Sequence, residues 1–219
     1  MGPFLIRRHF IALGITAFVT GLSCAQAQTA STKAAPTIVV LGDSLSAEYG
    51  LKRGTGWVAL LEQRLAQEKM AAKIVNASIS GDTTSGGRSR LPALLTQHKP
   101  TVVVIELGGN DALRGLPLTM TEDNLQAMTR AAQAAGAKVL LLGMQVPPNY
   151  GQDYGKKFAD TFVNTAKANK VSLVPFLLAG VADIPDAMHL FQSDRIHPTE
   201  AAHPRILANV WPALRKLMP

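Results

Sequence analysis

The chain has 219 residues, 47 % of them hydrophobic, and a formal net charge of +7. That length and apolar content suit one globular domain with a substantial core and exclude a disordered chain. The positive surplus is not gathered into a basic run with interleaved aromatics, which argues against nucleic acid as a partner.

The first residues differ in kind from the rest. Arg7, Arg8 and His9 form a positive region, Phe10 to Leu22 an apolar one, and Ala25-Gln26-Ala27 a small-x-small cleavage site. The apolar run is roughly 13 residues against the ~20 that span a bilayer, so it reads as a secretory signal peptide over 1–27 and not as a stable membrane span. Its two arginines leave with it, and the mature charge becomes +5 (7 − 2). The only cysteine, Cys24, lies inside this leader. Gly21-Leu22-Ser23-Cys24 resembles a lipoprotein box with Gly where Leu is expected, which leaves lipidation as a minor alternative. Cut after Ala27, the mature chain has no thiol, so it needs no disulfides and has no cysteine nucleophile.

Residues 28–36 read as a linker, and the domain as 37–219. A short apolar run, Thr37 to Leu41, predicts a buried strand that stops at Gly42 and is followed at once by Asp43 and Ser44. Trp57, Leu60, Leu61 and Leu65 recur at helical spacing. Lys73–Asn76 predicts a second strand that leads into the loop 77–83. Leu91, Leu94 and Leu95 mark a helix ended before Pro100. Val102–Leu107 predicts a third strand, running into Gly108-Gly109-Asn110-Asp111. A helix is expected over Thr121–Ala135, a fourth strand over Lys138–Gly143, and a loop over Gln145–Gly151. Phe158, Phe162 and Ala166 mark a further helix, and Val171–Pro175 a fifth strand. The irregular stretch Gly180–Pro198 delivers Asp194-Arg195-Ile196-His197. A last helix is expected over Thr199–Leu217, kinked or interrupted by Pro204 or Pro212. Alternating strands and helices imply a single α/β domain: a parallel sheet with helices on both faces.

Four polar sites stand at predicted strand ends: Ser44, Gly81, Asn110 and the Asp194/His197 pair. They suit acyl transfer. A serine hydroxyl needs a base within hydrogen-bond reach, histidine titrates near neutrality, and a carboxylate on its other nitrogen fixes the tautomer. A backbone N–H at Gly81 and a neutral amide at Asn110 could face a developing oxyanion. Each residue also has a plainer reading: Ser44 as a turn or cap, Asn110 as a turn residue, Gly81 as a position with φ > 0. Asp43 reads as an Asx-turn residue, His98 as solvent-facing, and His189 and His203 as packed or surface histidines. Asp183 and Asp186 read as turn residues, and the sequon Asn76-Ala77-Ser78 as chance. No cluster has metal-ligand spacing and no phosphate-cradling loop is present, so neither metal nor cofactor is implied.

Taken together, Gly42-Asp43-Ser44-Leu45-Ser46, Asn76 to Thr83, Gly108 to Asp111 and Asp194-x-x-His197-Pro198 resemble the four blocks of the SGNH, or GDSL, hydrolases, in family order. Leu107 to Gly115 and Pro147 to Gly151 are similar to the bacterial periplasmic thioesterase I/lysophospholipase L1 group, also described as arylesterases. The resemblance implies a flavodoxin-like three-layer α/β/α sandwich with five parallel strands. It implies Ser44 as nucleophile, His197 as base and Asp194 as its orienting acid. The N–H groups of Ser44 and Gly81 and the Asn110 amide would form the oxyanion hole. Leu113, Leu116, Pro117, Met144, Pro147 and Tyr150 would line the acyl crevice, although ordinary loop packing would also explain them. The expected partner is a small-molecule acyl ester or thioester, lipid substrates included, and the expected state an exported monomer. A carbohydrate O-deacetylase with the same triad is the alternative, disfavoured by few aromatics for stacking sugars. A non-catalytic lipid-binding module is a more distant one.

Overall fold

A computed structural model describes residues 1, 2, 4 and 35–218. The chain divides into the units Met1–Lys33 and Ala34–Pro219. Apart from residues 1, 2 and 4, the leader expected over 1–27 with its cut site, and all but the last two residues of the expected linker, lie outside the described residues.

In the second unit, β1 (Thr37–Gly42), β2 (Lys73–Asn76), β3 (Val102–Glu106), β4 (Lys138–Leu142) and β5 (Ser172–Val174) form one parallel sheet in the order β2-β1-β3-β4-β5. This is the three-layer arrangement expected. Ile38 to Leu41, Val102 to Val104 and Leu140 to Leu142 are completely buried, as consecutive apolar residues are when helices cover both faces. The helices are α1 (Trp57–Gln67), α2 (Thr84–His98), α3 (Gly109–Leu113), α4 (Leu118–Ala134), α5 (Gln152–Asn169) and α6 (His203–Leu217). α1 packs with α6 on one side, and α2, α4 and α5 form the layer on the other.

Three boundaries depart from the expected ones. Gly109–Leu113 is a short helix that the sequence does not mark, because one turn is too short to show a period. α4 begins at Leu118, three residues before Thr121, after Pro117 in extended backbone. The final helix begins at His203, preceded by a separate 3-10 turn at Glu200–Ala202. Pro204 falls in its first turn, where no N–H is needed, and the helix continues through Pro212.

The start of α1 explains the histidine at the head of α6. Gly56 caps α1 without a side chain, so other segments must satisfy its first N–H groups. Glu48 accepts from Gly54 and Gly56, and His203 Nδ1 accepts the Trp57 N–H at 3.0 Å. Burial pushes the His203 imidazole down from 6.5 to about 4, against the upward pull of Glu48 and Glu200. Between those values the unfolded chain binds a proton that the folded protein refuses. Stability therefore falls as pH drops from about 6.5 to about 4, by on the order of 3 kcal/mol. His203→Gln keeps an acceptor for Trp57 and removes the titration. The difference in urea-unfolding free energy between pH 7 and pH 4 should shrink by about that amount in the variant; an equal difference in both proteins would place the acid sensitivity on another group.

Candidate active site

In a doubly wound sheet the order reverses between β1 and β3, and ligands bind beyond the carboxyl ends of the strands there. Ser44 follows β1 and Asn110 follows β3, one on each side of that reversal. The stretch after β5 returns to the same edge, and there His197 Nε2 lies 2.9 Å from Ser44 Oγ. His197 Nδ1 lies 2.6 Å from Asp194 Oδ2, while Asp194 Oδ1 accepts the N–H groups of Ile196 and His197 at 2.9 and 3.0 Å. Burial raises the Asp194 carboxyl, but the His197 ring, those two N–H groups and the attraction of His197 outweigh it and hold the group at about 2. Asp194 is therefore ionised at neutral pH. Tyr49 lays its ring against the imidazole, with centroids 4.3 Å apart.

The oxyanion candidates differ among themselves. Gly81 has φ +80°, a conformation that favours glycine, and neither its N–H nor that of Ser44 finds an acceptor among the described residues. Asn110 Nδ2, in contrast, already donates to Asp43 Oδ2 at 3.0 Å and to the Asp82 carbonyl at 2.9 Å. An oxyanion would share those hydrogens in bifurcated bonds. The Gly81–Thr83 turn is tied down from both sides. Asp111, fully buried at the start of α3, accepts the Thr84 N–H at 2.9 Å, and Arg90 pairs with Asp82 at 2.7 Å. Arg90 also reaches the Ala77 and Gly42 carbonyls, binding the ends of β1 and β2 together.

Asp43 makes the expected Asx turn, its Oδ1 accepting the Leu45 N–H at 3.0 Å. His98, His189 and His203 lie outside the Ser44 constellation: His98 ends α2, His189 is exposed beside Asp186, and His203 caps α1. Asn76 of the sequon is engaged, its amide donating to the Ser46 carbonyl at 2.7 Å. Among the six crevice candidates, Leu113, Pro117, Pro147 and Tyr150 are exposed and Leu116 is half-buried, all on segments that follow the carboxyl ends of β3 and β4. Met144 is instead only 8 % exposed and packed into the core cluster, so it offers little surface to a substrate. Tyr49, Ile79, Leu113, Tyr150, Met188 and Ile196 are exposed large apolar residues, and every one follows the carboxyl end of a strand. The described residues contain no group of three or more His, Cys, Asp or Glu arranged to hold a metal.

Residues that sequence reasoning passed over lie beneath the serine. Glu106, at the end of β3, is fully buried; its Oε2 accepts the Asp43 N–H at 3.2 Å and the Ser46 hydroxyl at 2.8 Å. A carboxylate closing an otherwise apolar strand was the available signal. Gly42 makes the close approach possible: a Cβ there would sit 2.8 Å from Ser46 Cβ and Ser78 Oγ, and 2.9 Å from Glu106 Oε2. Gly42→Ala should accordingly destabilise the protein by about 1–3 kcal/mol in urea unfolding, through overpacking. An unchanged midpoint would mean that the turn has room the geometry does not reveal.

The model of the GDSL-like lipase/acylhydrolase family matches residues 40–205. The chain is 54 % identical to "Esterase TesA" of Pseudomonas aeruginosa over 185 residues, which is 84 % of this chain and 90 % of that protein. It is 43 % identical to "Thioesterase 1/protease 1/lysophospholipase L1" of Escherichia coli K12 over 173 residues, 79 % of this chain and 80 % of that one. The crystal structure of TesA superposes with a TM-score of 0.80 at 53 % identity, covering 83 % of this chain and 99 % of that chain.

Proposed function

The chain belongs to the GDSL-like lipase/acylhydrolase family, and from that membership we propose that it is an exported serine hydrolase that cleaves acyl esters and thioesters through an acyl-enzyme. The observation that carries this reading is the hydrogen-bonded series Asp194–His197–Ser44, with links of 2.6 and 2.9 Å. Ser44 Oγ attacks the acyl carbonyl as His197 takes its proton, and Asp194 stabilises the imidazolium that forms. The N–H groups of Ser44 and Gly81, with the Asn110 amide, receive the oxyanion. His197 returns its proton to the leaving alcohol or thiol, and water then releases the acid by the same steps.

The exposed apolar residues around the strand ends support an acyl chain as the group recognised. The names of the relatives, an esterase and a thioesterase/lysophospholipase, support the same substrate classes. The leader over 1–27 supports export, with a periplasmic or secreted destination, and no described helix is long and apolar enough to cross a membrane. The protein acts as a monomer in this reading, since the triad and the oxyanion donors all come from one chain.

The test is hydrolysis of p-nitrophenyl esters from acetate to palmitate. Ser44→Ala should lower kcat by about 10⁴-fold or more; activity undiminished in that variant would remove Ser44 as nucleophile. Leu113→Ser and Leu116→Ser should each penalise long chains by about tenfold more than acetate, whereas an equal loss at both lengths would sink the crevice assignment. A Ser44-dependent rate confined to acetate would favour the O-deacetylase.

A further inference from the structure

We propose that Glu106 is a positioning residue for the reaction, holding the Ser44 turn from beneath and, through Asp43, orienting the amide of Asn110. The inference rests on the serine-hydrolase reading above.

A carboxyl group with no exposed surface is costly unless it is neutral or well partnered. Glu106 Oε2 holds both flanks of the serine: the Asp43 N–H on one side and the Ser46 hydroxyl on the other. The Ser46 oxygen in turn accepts the indole N–H of the buried Trp57 at 3.1 Å, so the turn is braced against the first residue of α1. The other Glu106 oxygen, Oε1, is buried with no hydrogen-bond partner among the described residues, so the ionised form is poorly compensated there. Burial, and then the neighbouring Asp43 charge, raise Glu106 well above the usual carboxylate range, whereas Asp43 is raised by burial only to about 6. Of the two acids Glu106 is therefore the one that favours its neutral form, and Asp43 the one that ionises more readily.

That assignment matters for the oxyanion hole. Asp43 Oδ2 accepts from Asn110 Nδ2, and Asn110 has the Asp82 carbonyl as its second acceptor. The position of the amide is thus set by the carboxylate that Glu106 keeps in place. One residue at the end of β3 supports both the attacking oxygen and an oxyanion donor, without touching substrate. Such support should act on the transition state more than on substrate binding, because a small displacement of either group costs rate at unchanged affinity.

The experiment compares Glu106→Met, Glu106→Gln, Ser46→Ala and Ser44→Ala with the wild type on p-nitrophenyl butyrate, each checked for native circular dichroism. Glu106→Met keeps the volume and removes every polar contact; kcat should fall about 100-fold with KM changed by less than about threefold. Glu106→Gln keeps an oxygen that accepts from the Asp43 N–H and the Ser46 hydroxyl, and should recover to within about fivefold of wild type. Ser46→Ala removes one link, and its kcat should fall by about tenfold at constant KM. A folded Glu106→Met with wild-type kcat overturns the proposal, as does a Glu106→Gln as slow as the Met variant. Should Glu106→Met fail to fold, an unchanged kcat in Ser46→Ala overturns it instead. Undiminished activity in Ser44→Ala would count against the serine-hydrolase reading itself, which separates the two failures.

Discussion

The register between β1 and β3 places Gly42 opposite Glu106, and the arrangement at the strand ends depends on that pairing. Side chains in a strand alternate between faces, so a slip of one residue would send Glu106 to the opposite side of the sheet. It would also separate the turn carrying Ser44 from the loop carrying Asn110. The pairing is held by strands with no solvent-facing side, where a slip would have to repack apolar residues on both helical layers. The rigidity that keeps Ser44 within 2.9 Å of His197 thus originates in hydrocarbon packing well below the strand ends.

Above the sheet, polar groups take over. Asn76 holds the Ser46 carbonyl, Arg90 gathers the ends of β1 and β2, and Asp111 fixes the start of α2. These bonds run between loops rather than within them. Each loop alone would wander, and together they restrict one another. The acids in this layer divide by surroundings: Asp194, near solvent and offered three N–H donors, is held at about 2, while Glu106, dry and facing Asp43, is driven the other way.

Much of this was legible in the sequence because the strands are short apolar runs and the reactive residues sit where those runs stop. β2 is found with its expected limits, and β1, β3 and β4 within one residue of theirs. The Gly-Asp-Ser and Asp-x-x-His stretches could be paired because acyl transfer needs both parts. Glu106 was not legible, since one acid at the end of a valine-rich run looks like the edge of a strand and gives no hint of what it faces. Arg90 and Tyr49 were missed for a related reason: their partners lie across the fold, on segments that helical periodicity cannot connect. Met144 erred in the opposite sense, as a residue on a loop after a strand that turns back into the core.

Ser44 and His197 are separated by 153 positions, one near the beginning of the folded unit and the other close to its last helix. A chain emerging from the ribosome presents Ser44 long before His197 can lie beside it. In the proposed mechanism, hydrolysis therefore waits until the carboxyl-terminal segment has joined the sheet. An incomplete chain is thus kept apart from that pairing by topology alone. For the same reason, turnover in a refolding mixture counts complete molecules, and does so more stringently than any spectroscopic measure of helix or strand.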